Sequence, residues 1–228
     1  KMSFLKTLLP ASLKKSIKKL LGIKKSKKGF KGSKRYWEER YLNDRNSGPG
    51  SYGRLADFKA EILNSFVQEN NIQTVIEYGC GDGNQLSLAN YPKYTGYDVS
   101  KKAIAICKEK FANDISKEFK VISSKKATYK KAELTLSLDV LFHLIEDSVF
   151  NEYMQRLFDT STNYVIIYSS NYEASVASHV RCREFTKWIA SNVSDTWVLQ
   201  KKIDNRYPMV EDDPDNTSFA DFYIYRKK

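Results

Sequence analysis

Acidic residues are missing from the first 35 positions of this 228-residue chain; histidine occurs twice, cysteine three times and proline five times. The three cysteines, Cys80, Cys107 and Cys182, are an odd number, far apart and without the close pairs of a metal knuckle. That argues against a secreted disulfide scaffold and for a reducing, cytoplasmic setting. No apolar run reaches the roughly 18–20 residues that a membrane span needs. Lys14, Lys15, Lys18 and Lys19 interrupt the one early apolar stretch, which removes a secretory core as well. Charge is equally lopsided. Thirteen of the 38 Lys and Arg residues fall within residues 1–35, so the net +11 belongs to a tail, and residues 36–228 carry 25 basic side chains against 27 acidic ones. The body is therefore not marked as a nucleic-acid-binding surface.

Residues 1–34 read as a basic extension. Leu13, Ile17, Leu20 and Leu21 recur at helical spacing with the four lysines on the other face, predicting an amphipathic helix over 12–23. Such a segment suits an anionic membrane surface, where each basic side chain adds about 1 kcal/mol. The expectation is a peripheral contact at the inner membrane face through residues 2–31; a partner-binding arm and a plain solvated extension are the alternatives. Residues 22–33 read as a flexible linker, placing one domain over 35–228.

In the body, short apolar or β-branched runs at 74–78, 94–98, 119–123, 134–138 and 164–169 alternate with helical patterns at 55–70, from about Gln85, at 101–111 and at 147–158. A helix near 183–191 and strands near 197–201 and 220–225 follow. This alternation predicts an α/β fold, a parallel sheet with helices on both faces, and ligands at the carboxyl ends of the strands.

The most informative stretch is Val75-Ile76-Glu77-Tyr78-Gly79-Cys80-Gly81-Asp82-Gly83, an apolar strand ending in three alternating glycines. Glycine is needed where the chain turns sharply and its backbone must lie against a ligand. Fifteen residues beyond Gly83 stands Asp98, at the end of the next strand and placed to accept from ribose hydroxyls. A dinucleotide site prefers G-x-G-x-x-G, whereas here the third glycine comes one residue early and Glu77 precedes the first. A carboxylate there repels a pyrophosphate but helps hold an ammonium group.

The pattern Glu-x-Gly-x-Gly-x-Gly with Asp98 resembles the first two motifs of the class I S-adenosylmethionine-dependent methyltransferases. The resemblance implies a Rossmann-like, doubly wound, mostly parallel seven-stranded sheet with an antiparallel last strand. It also implies S-adenosylmethionine as cofactor, with Glu77, Gly79 and Gly81 lining its methionine end, Asp98 at the ribose, Ser123 in the adenine loop, and Cys80 and Leu138 among the cofactor-binding residues. The stretches 36–41, 46–56 and 215–223 resemble a subgroup associated with bacterial capsule and other surface-polysaccharide assembly, in which the Gly/Ser loop folds over the cofactor and implicates Tyr52, Gly53 and Lys59.

Both histidines, His143 and His179, fall on expected loops at the carboxyl edge of the sheet, with Asp139 just before the first. A hydroxyl acceptor needs a base, and histidine titrates in the useful range. The expectation is that His143 or His179 is that base, with Asp139 orienting an imidazole or the acceptor; a divalent metal held by the same residues is the other reading. Arg181, Arg183 and Arg206 are candidates for a phosphate, as a nucleotide-activated acceptor would require. The resulting expectation is O-methylation of a sugar or phosphoramidate-type precursor of a surface glycan, with no specific nucleic acid bound. A nucleic-acid methyltransferase clamping its substrate with the tail, and a non-catalytic binding module of the same fold, are the alternatives.

Overall fold

The computed structural model describes residues 30–122 and 129–228. The amphipathic segment at 12–23 and Ser123 lie outside the described residues.

Chain order begins with α1 (Ser33–Leu42), a single 3-10 turn (Pro49–Ser51) and α2 (Gly53–Glu69). Then come β1 (Thr74–Tyr78), β2 (Lys93–Asp98), α3 (Lys101–Lys110), β3 (Lys117–Val121) and β4 (Ala132–Leu138). After α4 (Asp147–Asp159) and β5 (Ser161–Ser169), a small hairpin of β6 (Ala174–Ala177) and β7 (Val180–Cys182) precedes α5 (Phe185–Asn192), β8 (Trp197–Ile203) and β9 (Asp221–Lys227). One seven-stranded sheet has the order β3-β2-β1-β4-β5-β9-β8, parallel except for β9, which runs antiparallel to both its neighbours. The expected Rossmann-like sheet with an antiparallel last strand is therefore present.

Central strands alternate their side chains between two apolar layers, as a sheet covered on both faces must. Val75, Leu134, Leu136 and Ile166 pack with Phe58, Leu63 and Phe66 of α2 and Ile104 of α3. Ile76, Val165 and Ile167 face the other way, onto Met154, Leu157 and Phe158 of α4 and Phe185 of α5. Strand order reverses between β1 and β4, which opens a crevice at the carboxyl end of β1.

Three features differ from the sequence reading. The helix expected from Gln85 is a single 3-10 turn, Gln85–Leu88, because Asn64 of α2 donates to the Leu88 carbonyl and accepts from the Asn90 amide, groups that a longer helix would use itself. The hairpin β6–β7 stands where only a loop was expected. Ser33, read as the end of a linker, is instead buried: its amide and hydroxyl donate to the two carboxylate oxygens of Glu146 at 2.9 and 2.6 Å, which fastens α1 across the crevice. No helix among the described residues is long and apolar enough to cross a membrane.

Candidate functional site

A cavity of about 1060 Å³ opens at the carboxyl ends of β1, β2 and β4. Glu77, Gly79, Cys80, Gly81, Asp98, Leu138 and Lys59 all border it, so seven of the residues singled out for a cofactor are brought together.

The glycine loop is shaped by left-handed backbone at Gly79 (φ 89°), Gly81 (57°) and Gly83 (72°). A Cβ on Gly79 would overlap Val140, and one on Gly81 would overlap Ser47, so larger residues are excluded both by conformation and by space. The loop is drawn against β2 by the Gly79 amide, which donates to the Tyr97 carbonyl at 2.7 Å. Asp98 completes the turn, accepting from the Gly81 amide at 3.0 Å and the Ser100 amide at 2.8 Å.

Glu77 and Asp98 are both buried. Burial pushes Glu77 up to about 7 against the pull of a 2.7 Å hydrogen bond from the Tyr94 hydroxyl. It pushes Asp98 up to about 6 although backbone amides oppose the shift. The cavity thus holds two carboxylates whose ionised forms call for a cation or for donors.

The structure corrects parts of the site reading. Asp139 orients neither imidazole; its carboxylate is held by Lys59, with Nζ to Oδ2 at 2.7 Å. Lys59 arrives from α2, within the helix expected over 55–70, and its side chain is only 1% exposed. Asp139 itself sits in left-handed backbone (φ 59°), a conformation that costs a non-glycine residue about 1–3 kcal/mol and that concentrates at functional sites. Tyr52 and Gly53 do not border the cavity. The Tyr52 hydroxyl donates to Asp82 at 2.9 Å, and Gly53 opens α2. Ser47 adds a reciprocal pair with Asp82, so the Gly/Ser loop clamps the glycine loop, and its Ser47 and Ser51 border the cavity.

The histidines divide. His143 borders the cavity, whereas His179, in the turn of the β6–β7 hairpin, does not. His143 Nδ1 lies 3.2 Å from the carbonyl oxygen of His179, an acceptor only, so Nδ1 carries the proton and Nε2 keeps its lone pair. Burial pushes His143 down to about 3 and His179 down to about 4, and both are neutral at physiological pH. His179 stacks on Tyr36 at 4.3 Å and fixes the hairpin against α1. Among the described residues no three His, Cys, Asp or Glu side chains are grouped to hold a metal ion. Arg181 and Arg183 both pair with Asp147, and Arg183 also donates to the Leu144 and Ile145 carbonyls; Arg206 grips Glu61. These three guanidinium groups are taken by the protein's own acceptors.

Among the other residues that border the cavity, two carry a buried polar atom without a partner. Glu38 Oε2 and Gln85 Oε1 are buried and accept no hydrogen bond among the described residues. Glu38 fell within the stretch 36–41 that carries the subgroup resemblance, but nothing there gave it a role of its own; Gln85 carried no signal beyond following the glycine loop.

Glu77 supplies a testable sign. Its folded value lies above the ordinary 4.5, so the folded protein binds more protons than the unfolded chain between those limits, and stability is lost as pH rises through about 7. At pH 8 the ionised side chain costs on the order of 3 kcal/mol. Glu77→Gln is expected to raise the ligand-free melting temperature at pH 8, with the gain fading toward pH 4.5. Thermal melts across that range check it; equal melting temperatures at pH 8 would contradict it.

Comparison with protein-family models gives no match, and comparison with curated proteins gives none either. Solved structures match in fold. The N-methyltransferase NodS from Bradyrhizobium japonicum WM9, in complex with S-adenosyl-L-homocysteine, has a TM-score of 0.65 at 13% identity, over 86% of this chain and 98% of that one. Magnesium protoporphyrin IX methyltransferase from Synechocystis PCC 6803 with bound SAM has a TM-score of 0.61 at 13% identity, over 88% and 100%. The methyltransferase domain of bacterial CtHen1 gives 0.58 at 16%, over 74% and 96%. The chain has the Rossmann-like fold of these methyltransferases.

Proposed function

We propose that this chain is an S-adenosylmethionine-dependent methyltransferase that methylates a hydroxyl group. The observation that carries the reading is the convergence of a glycine cradle, Glu77 and Asp98 in one large cavity at the crevice where strand order reverses. The donor set fits: Asp98 and the orphaned Glu38 Oε2 are acceptors suited to ribose hydroxyls, and Glu77 is a carboxylate suited to an ammonium group. When bound, S-adenosylmethionine supplies a methyl group on a sulfonium, an electrophile with a good leaving group. The structure neighbours include proteins bound to SAM and S-adenosyl-L-homocysteine, which supports the same cofactor here.

Methyl transfer of this kind asks the protein mainly to align the acceptor and accept its proton. His143 Nε2 takes the hydroxyl proton as the oxygen acquires the methyl group. The His179 carbonyl holds the Nδ1–H tautomer that this requires. Asp139, fixed by Lys59, borders the cavity beside His143 and accepts a second hydrogen bond from the acceptor. Because His143 is already neutral well below pH 6, the rate profile should lack a histidine inflection near 6.5.

For the acceptor we keep the reading of a surface-glycan precursor, supported by the resemblance of 36–41, 46–56 and 215–223 to the polysaccharide-associated subgroup. The basic segment 2–31 suits delivery to an anionic membrane where such precursors are built. Deleting residues 1–29 is expected to weaken sedimentation with phosphatidylglycerol vesicles; unchanged sedimentation would remove that role.

Isothermal calorimetry with S-adenosylhomocysteine tests the cofactor assignment. Binding should weaken as pH falls below about 7, where Glu77 takes up a proton and no longer holds the ammonium group. Absence of binding at pH 8 would contradict the reading.

A further inference from the structure

The three segments that the glycine motif leaves unexplained, 36–41, 46–56 and 215–223, meet around a second cavity of about 50 Å³. It adjoins the first, for Trp37, Ser47, Ser51, Asp139 and His143 border both. Beyond them its wall includes the aromatic residues Tyr36, Phe142 and Phe219, with Thr217, Ser218 and Arg40.

Among the described residues, Arg40 is the only cationic one in that wall. Its Nε donates to the Asn46 carbonyl at 2.7 Å, which steers the guanidinium, and its Cζ lies 5.5 Å from the Trp37 ring centroid. It has no carboxylate partner among the described residues, and the one carboxylate in the wall, Asp139, is already matched by Lys59. Several other arginines are taken by carboxylates, Arg54 by Asp213, Arg181 and Arg183 by Asp147, and Arg206 by Glu61; what sets Arg40 apart is its place in the wall of this cavity. The uncompensated charge is felt nearby, since Arg40 is among the groups that press both histidines toward their neutral forms. A water-sized group needs about 10–15 Å³ of such space, so the slot takes roughly three to five heavy atoms. That admits a carboxylate or a phosphoryl group and excludes a sugar ring.

We propose that the methyl acceptor is an anion whose carboxylate or phosphoryl group seats in this slot on Arg40, presenting its reactive hydroxyl at the boundary beside His143 and Asp139. The inference rests on the methyltransferase reading for the word acceptor; the slot's preference for an anion does not. With Nε engaged by Asn46, the two terminal nitrogens form a fork that matches two oxygens of either group. Aromatic walls lower the local dielectric and strengthen that pairing.

Titration of the full chain with inorganic phosphate and, separately, with acetate tests this, each followed by calorimetry with and without saturating S-adenosylhomocysteine. At least one anion is expected to bind, with affinity reduced tenfold or more in Arg40→Met and unchanged in Arg206→Met. Binding of phosphate alone assigns a phosphoryl group, and of acetate alone a carboxylate. Arg40→Met should leave S-adenosylhomocysteine affinity within about twofold, which shows that the variant is folded and the larger cavity intact. If neither anion binds, or if Arg40→Met binds it as well as the parent chain, the inference is overturned. Failure of S-adenosylhomocysteine alone strikes the methyltransferase reading instead, and the anion titration without it still decides the slot.

Discussion

Replacing Asp98 with Ala is expected to weaken S-adenosylhomocysteine binding by about a hundredfold or more while leaving the protein folded. The carboxylate has two functions in the site. It holds the Gly81 and Ser100 amides, and thereby the turn of the glycine loop, at 3.0 and 2.8 Å. It also offers the acceptor oxygens at the end of β2 that ribose hydroxyls would meet. Hydrogen bonds to a charged group contribute about 1.5–3 kcal/mol each, so losing two is worth two or more powers of ten in affinity. The fold should survive with a lowered melting temperature, because relieving the burial that pushes Asp98 up to about 6 offsets part of the cost of leaving the Gly81 and Ser100 amides unpaired. Calorimetry on the variant, with a thermal melt as the folding control, checks both halves. Affinity within threefold of the parent chain would show that Asp98 is a structural carboxylate only.

The two histidines should separate by a wide margin. His143→Ala is expected to lower kcat by about 10² or more, the usual worth of a positioned base, with S-adenosylhomocysteine affinity within about twofold. His143 borders both cavities and presents an unprotonated Nε2, and no other imidazole does so among the described residues. His179→Ala should cost less than about fivefold, since what His179 gives the site is its backbone carbonyl, which alanine retains. Its ring instead stacks on Tyr36, so the variant should lose some thermal stability. Steady-state kinetics on both variants decide the matter. Equal losses would mean that the ring of His179 reaches the acceptor after all.

The sheet was legible because its strands carry their own signal. Thr74–Tyr78 places Val75 and Ile76 on opposite faces, both buried, and runs into alternating glycines, as an interior parallel strand leading into a ligand loop does. Glu77, Gly79, Gly81 and Asp98 could be placed together because their relation is local, set by one strand, one turn and the neighbouring strand. Long-range pairing was not legible. Lys59 and Asp139 are 80 residues apart, and nothing in either segment announces that a buried lysine from α2 will take the carboxylate expected to orient an imidazole. Glu38 was hidden for a related reason: the low hydrophobic patterning of α1 gave no sign that it folds over the cavity, and the contact that places it there, Ser33 with Glu146, spans 113 residues. The missing helix after Gly83 is a tertiary effect as well, since Asn64 captures the backbone groups that would have extended it. The arginines offered for a phosphate illustrate the same limit. Sequence marks a guanidinium but not its partner, and Arg40, ordinary among its neighbours in sequence, is the one left without a carboxylate in the smaller cavity.

The most direct measurement supplies the full chain with S-adenosylmethionine carrying a labelled methyl group and a bacterial extract fractionated into nucleotide-sugars, glycolipid and polysaccharide, nucleic acid and protein. The account predicts label in a carbohydrate fraction, lost in Asp98→Ala and reduced about a hundredfold in His143→Ala. Label in nucleic acid, or no label in any fraction from a protein that binds S-adenosylhomocysteine, would contradict it.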